Sequence, residues 1–127
     1  MTDIDILPAQ AVPARMSELR ISADAFIEAW QAGACEFLDI RTAAETRVWK
    51  MGFGLAIPAD EIASRLDELP CDKLLVVACP KSDRSGIVRS YLAAKGFNAK
   101  YLMGGLLGLA DKLKGMSSED FRLEPGQ

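Results

Sequence analysis

The side chains able to perform covalent chemistry are gathered in Cys79-Pro80-Lys81-Ser82-Asp83-Arg84-Ser85-Gly86. Cys79 follows the apolar run Leu74-Leu75-Val76-Val77-Ala78, and Arg84 stands five positions on, where a helix is expected to begin. A loop of this kind turns backbone N–H groups inward, and the helix after it adds the partial positive charge of its N-terminus. With Lys81 and Arg84 alongside, the arrangement favours a thiolate at Cys79 and makes a seat for an anion. Activated cysteines of this sort have pKa values of roughly 3.5–7.5, against about 8.5 for a free thiol. The expected chemistry is nucleophilic, with a covalent intermediate on Cys79.

The sequence contains no histidine. That excludes the usual zinc sites and every His-based dyad or triad, so the nucleophile must be activated by its own loop. No metal and no organic cofactor is expected. Three cysteines, none in a C-x-x-C pair, do not make a disulfide framework. Cys35 opens an apolar strand and Cys71 sits in a turn beside Asp72, so both are read as structural or incidental. A resolving role for Cys71 stays open.

The elements that position the loop follow from periodicity and caps. Residues 1–17 carry Pro8 and Pro13 without a clear period and are read as an N-terminal arm. Glu18 to Ile21 reads as a short strand, and Ser22 caps a helix through Gln31 that Gly33 ends. Cys35 to Ile40 is a buried strand, and the capping box Thr42-x-x-Glu45 starts a helix running to about Lys50. Gly52, Gly54 and Pro58 break the chain around a short strand at Leu55 to Ile57. Asp60 to Leu69 reads as a helix stopped by Pro70, and Lys73 to Ala78 is the strongest strand signal. A helix follows from Arg84 to Lys95 with Gly96 beyond it; Ser82 and Ser85 are read as loop and cap residues. Tyr101-Leu102 ends a last strand, Gly104-Gly105 makes a tight turn, and a final helix reaches Lys114. Residues 116–127 are read as a C-terminal tail, which leaves one domain at 18–115.

Strands alternating with helices predict an α/β fold with a central, mostly parallel sheet flanked by helices on both faces. In such sheets ligands gather at the carboxyl ends of the strands, where the Cys79 loop falls. The chain has 127 residues, a net charge of −3 and 26% charged residues, the profile of a single globular domain. No basic stretch suggests nucleic acid, and no run of eighteen or more apolar residues suggests a membrane span. The first seven residues are acidic rather than basic, so a secretory signal is not expected and a cytoplasmic location is.

Four segments together resemble the rhodanese family over residues 18–114. They are Leu38-Asp39-Ile40-Arg41 with Glu45, Ala56-Ile57-Pro58-Ala59-Asp60-Glu61-Ile62, the six residues Cys79 to Arg84, and Tyr101-Leu102-Met103-Gly104-Gly105. The resemblance implies a rhodanese-like domain and a sulfurtransferase in which Cys79 carries sulfur as a persulfide. It further implies that Arg84 shapes the loop and contacts a small anionic donor such as thiosulfate. Pro80, Lys81, Ser82, Asp83 and Ser85 would form the cradle, with Asp39 and Arg41 supporting the loop. Cyanide, a small thiol or a protein thiol would be the acceptor, and no cofactor is implied. The chain departs from the family pattern at Lys50 to Gly54 and at Met103. Within the loop, Pro80 lacks an N–H donor and Asp83 places a negative charge where an anionic donor would sit. The loop is also one residue shorter than the Cys-x5-Arg ring of cysteine phosphatases, which makes phosphatase or arsenate-reductase chemistry the less favoured alternative. Two others are a non-catalytic module that binds a partner or senses oxidants, and a relay taking sulfur from a cysteine desulfurase.

Overall fold

The computed structural model describes residues 3–116 and 120–124 of the chain. Strands β1 (Arg20–Ile21), β2 (Cys35–Asp39), β3 (Leu55–Ala56), β4 (Leu74–Ala78) and β5 (Ala99–Leu102) form one sheet in the order β1-β5-β4-β2-β3. Every pairing is parallel. Six helices accompany them: α1 (Leu7–Gln10), α2 (Pro13–Leu19), α3 (Ala23–Gln31), α4 (Ala43–Val48), α5 (Asp83–Ala94) and α6 (Gly105–Leu113). Among the described residues no helix is long and apolar enough to cross a membrane.

β4 is the middle strand, and its five apolar residues serve both sides of the sheet. Val76 and Ala78 enter a core with Phe26 and Trp30 of α3, Phe37 of β2, and Leu106 and Leu109 of α6. Leu75, Val77 and Cys79 enter the opposite core with Leu38, Ile62, Leu69, and Val88 and Leu92 of α5. A strand covered on both faces has no reason to alternate with polar residues, and this one does not. The register runs from Cys35 opposite Leu74 to Asp39 opposite Ala78, so β2 and β4 end side by side. That common end is where the Cys79 loop leaves the sheet.

Three stretches differ from the sequence-based expectation. The helix expected over residues 60–69 is two 3-10 turns, Ala59–Ser64 and Leu66–Glu68, with Arg65 between them at φ −127°. Pro58 and Pro70 bound the stretch, and at the break between the two turns Arg65 bonds Glu61 on one side and Glu68 on the other. The expected arm is largely helical, with a 3-10 turn over Asp3–Ile6, then α1, then α2. Helix α2 has Pro13 in its first turn and runs to Leu19, so the strand starts at Arg20 rather than Glu18. Gln10 also accepts a hydrogen bond from Arg89 of α5 at 3.4 Å.

The third difference lies in the expected tail, of which residues 117–119 and 125–127 are outside the described residues. Phe121 is buried, with its ring centroid 6.4 Å from that of Trp30 at 9° and 5.0 Å from that of Phe53. Trp30 Nε1–H donates to the Arg122 carbonyl at 2.7 Å, and Gln31 donates to that of Asp120 at 2.8 Å. A single aromatic among polar residues has no period, so sequence patterning passes over it. Phe121→Ala should lower unfolding free energy by about 2–3 kcal/mol, since water can partly refill this peripheral site. Urea titration checks this; an unchanged midpoint would mean the segment contributes nothing.

Candidate active site

The loop starts where β4 ends and closes on the first turn of α5. Ser82 occupies the N-cap position of α5 but makes no side-chain cap. The sulfur of Cys79 takes up one of the helix's free donors instead: the Ser85 N–H points to Cys79 Sγ at 3.2 Å. Ser85 therefore does not cap backbone N–H groups, as its position had suggested. Its hydroxyl is buried, donates to the Ser82 carbonyl at 3.1 Å, and lies 3.4 Å from Cys79 Sγ. An oxygen so placed accepts from a thiol and, by rotating its hydrogen, donates to a thiolate. Asp83 Oδ1 stands 3.9 Å from the same sulfur, while the Asp83 residue itself is exposed. Lys81 is exposed, and Pro80 and Ser82 are half-buried. Cys79 has no exposed surface.

From the other side, α6 holds the loop by its backbone. The Leu106 N–H donates to the Cys79 carbonyl at 2.8 Å, and the Leu107 N–H to that of Pro80 at 3.2 Å. This approach requires a glycine at the first position of α6. A Cβ on Gly105 would overlap the Lys81 and Pro80 carbonyl oxygens, and the residue has φ +64°. The Gly104-Gly105 pair thus makes the expected tight turn and also admits the loop.

Arg84 is braced across the site. Its Nη1 and Nη2 donate to Oε1 and Oε2 of Glu45 at 2.8 and 2.9 Å. Glu45 belongs to the capping box of α4, where the Thr42 N–H donates to Oε1 at 3.0 Å and Thr42 Oγ1 accepts from the Glu45 N–H at 3.2 Å. One carboxylate therefore caps one helix and anchors another. The local motif marked Glu45 as a cap, and that explanation hid its second partner 39 residues away. The Glu45 pair, chiefly, raises the pKa of the Arg84 guanidinium, with smaller contributions from Cys79 and Asp83.

The same contacts hold the Glu45 carboxyl down at about 2, the Arg84 hydrogen bonds first and the Thr42 N–H second. A carboxylate depressed in the fold contributes stability above its unfolded pKa, near 4.5, and loses it as pH falls toward 2. The stability gap between the native chain and Glu45→Gln should therefore be constant at neutral pH and close as pH falls through that window. Urea midpoints measured at intervals of pH would show it, and a gap independent of pH would refute it.

Asp39 and Arg41 form a buried ion pair beside the loop. Arg41 Nε donates to both Asp39 oxygens at 3.1 Å and Nη2 to Oδ2 at 2.7 Å. Arg41 Nη2 also reaches the Trp49 carbonyl at 3.1 Å, and its guanidinium lies 4.1 Å from the centroid of the Trp49 ring. Between them, the Ile40 N–H donates to the Ala78 carbonyl at 3.1 Å, one residue before Cys79. The pair therefore fixes the strand end from which the loop departs.

The other two cysteines lie away from this site. Cys35 opens β2 and Cys71 precedes β4, so both are at the amino ends of strands. A five-residue strand separates those ends from the loop by about 16 Å. Burial, with a smaller push from Glu36, raises the Cys35 thiol to about 11, which keeps it protonated and unreactive.

No family model matches the chain, and no curated protein sequence matches it. Solved structures do. A rhodanese-related protein from Thermoplasma volcanium is 25% identical with a TM-score of 0.66, over 73% of this chain and 91% of that one. A rhodanese-like domain protein from Staphylococcus aureus is 25% identical with a TM-score of 0.67, over 77% and 95%. A Rhodopseudomonas palustris protein of unknown function, named a possible tyrosine phosphatase, shares the fold at 18% identity and a TM-score of 0.67, over 92% and 95%. The likeness to the first two spans more than nine-tenths of each, and on that ground this chain has a rhodanese-like domain fold.

Proposed function

We propose that the domain is a sulfurtransferase in which Cys79 carries a sulfane sulfur as a persulfide. The observation supporting this most directly is the seating of Cys79 Sγ at the carboxyl end of the central strand, where it receives the Ser85 N–H from the first turn of α5. In the first half-reaction the thiolate attacks the outer sulfur of a donor such as thiosulfate. A bond forms between the two sulfurs, and sulfite departs with the electron pair of the broken donor bond. In the second, a thiophilic acceptor attacks the outer sulfur of the persulfide and Cys79 leaves as thiolate. The charge on sulfur is met by the Ser85 N–H, the Ser85 hydroxyl and the α5 N-terminus. Cyanide, a small thiol or a protein cysteine would serve as acceptor, and a cysteine desulfurase could stand in as protein donor.

Arg84 acts in this reading as the brace that keeps the loop closed on α4, its charge matched by Glu45. The four residues between Cys79 and Arg84 make a ring that suits one added sulfur better than a tetrahedral phosphate. The complete burial of Cys79 favours a second reading, in which the domain binds a partner without turning over sulfur.

Intact-mass spectrometry separates the two. After incubation with thiosulfate the native chain should gain one sulfur atom, lose it to cyanide, and show no gain as Cys79→Ser. A native chain that takes no sulfur from thiosulfate, an organic thiosulfonate or a desulfurase would leave the binding module as the better account.

A further inference from the structure

The charges around Cys79 are distributed in a way that bears on which donor it accepts. Two guanidinium groups flank the loop, and each already faces a carboxylate: Arg84 meets Glu45 at 2.8 Å and Arg41 meets Asp39 at 2.7 Å. Neither contributes a surplus positive charge to an arriving anion. The carboxylate recorded nearest the sulfur is that of Asp83, 3.9 Å from Sγ on an exposed residue. It lies on the first residue of α5, where it also offsets the positive end of the helix that would otherwise attract anions.

We infer that Asp83 is a specificity-determining residue, which turns Cys79 away from the thiosulfate dianion and toward sulfane donors carried on an organic group with at most one negative charge. This rests on the sulfur-transfer reading and narrows its substrate. An organic thiosulfonate, R–SO2–S⁻, is such a donor. The Cys79 thiolate bonds to its terminal sulfur, the bond between the two donor sulfurs breaks, and the sulfinate R–SO2⁻ leaves with the electron pair. Charge and atoms balance without an oxidant or reductant. Compared with thiosulfate, the donor brings one negative charge fewer past Asp83.

The size of the effect follows from Coulomb's law. Two unit charges about 4 Å apart in water repel enough to slow encounter about fivefold, and a dianion feels twice that free energy. Removing the Asp83 charge should thus move the rate ratio of two reagents differing by one charge about fivefold toward the more anionic one.

The test uses the full chain, native and as Asp83→Asn and Asp83→Glu, with reagents kept where rates are first order in reagent. Persulfide formation on Cys79 is timed with thiosulfate and with methanethiosulfonate, and alkylation with iodoacetate and with iodoacetamide. Each ratio cancels any change in thiolate fraction, which a purely structural role would alter. Asp83→Asn should shift both ratios about fivefold toward the more anionic member, Asp83→Glu should hold the native values, and added salt should narrow the difference. Ratios unchanged within about twofold in Asp83→Asn, with persulfide still forming, would overturn the role of Asp83 alone. A shifted alkylation ratio with no persulfide from either donor would overturn the sulfur-transfer reading and the donor assignment with it.

Discussion

Gly105→Ala should cost about 4 kcal/mol of stability and abolish sulfur loading on Cys79, although position 105 carries no reactive group. Two penalties combine. The left-handed backbone, φ +64°, costs an alanine about 1–2 kcal/mol. The new methyl would also lie within the carbonyls of Pro80 and Lys81, which are backbone and cannot rotate aside. Either α6 lifts away or the loop is pushed from the sulfur, and the bonds from Leu106 and Leu107 to the loop are lost with it. Gly104→Ala is the matched comparison. It has φ +78°, yet the nearest atom to its added methyl is Gly108 Cα at 4.0 Å, so only the backbone penalty of about 1–2 kcal/mol applies. Urea unfolding and mass-detected sulfur loading on both variants check this. Equal losses would mean that the close approach of α6 to the loop is unimportant.

Arg41→Met should be nearly as damaging. The Arg41 and Asp39 side chains are 1% and 6% exposed, so removing the guanidinium leaves a carboxylate buried with little beyond the Arg41 N–H at 3.0 Å to satisfy it. Breaking a buried pair from one side typically costs about 3–5 kcal/mol. The double variant Asp39→Leu, Arg41→Met removes both charges and should be more stable than Arg41→Met alone by at least about 1 kcal/mol. Denaturant titration of the native chain, both single variants and the double completes the cycle. Strictly additive losses would show that the two groups act independently. Because the Ile40 N–H holds the Ala78 carbonyl, sulfur loading should fall in Arg41→Met even under conditions where the variant is folded.

Much of this architecture is legible in the order of the residues, and the exceptions share a cause. β4 stands out because five apolar residues run unbroken between Lys73 and the loop, as a strand buried on both faces should. The start of α4 is written in Thr42 and Glu45, and the end of α5 in Gly96. Spacing by two puts Asp39 and Arg41 on one side of an extended chain, which is how they meet. What local pattern does not carry are contacts between distant residues. Glu45 has a sufficient local task as a cap, so nothing in its surroundings announces Arg84. Ser85 looks like a cap until a sulfur from the preceding strand is placed against its N–H. Phe121 is invisible until Trp30 and Phe53 are assembled to receive it.

The absence of any exposed surface on Cys79 has a kinetic consequence. A reagent touches the sulfur only after the loop parts, so at high concentration every reagent should reach the same ceiling, set by the opening rate rather than by its own reactivity. Peroxides meet that ceiling as well. A thiol with no exposed surface is thereby sheltered from irreversible oxidation for as long as the loop stays closed over it.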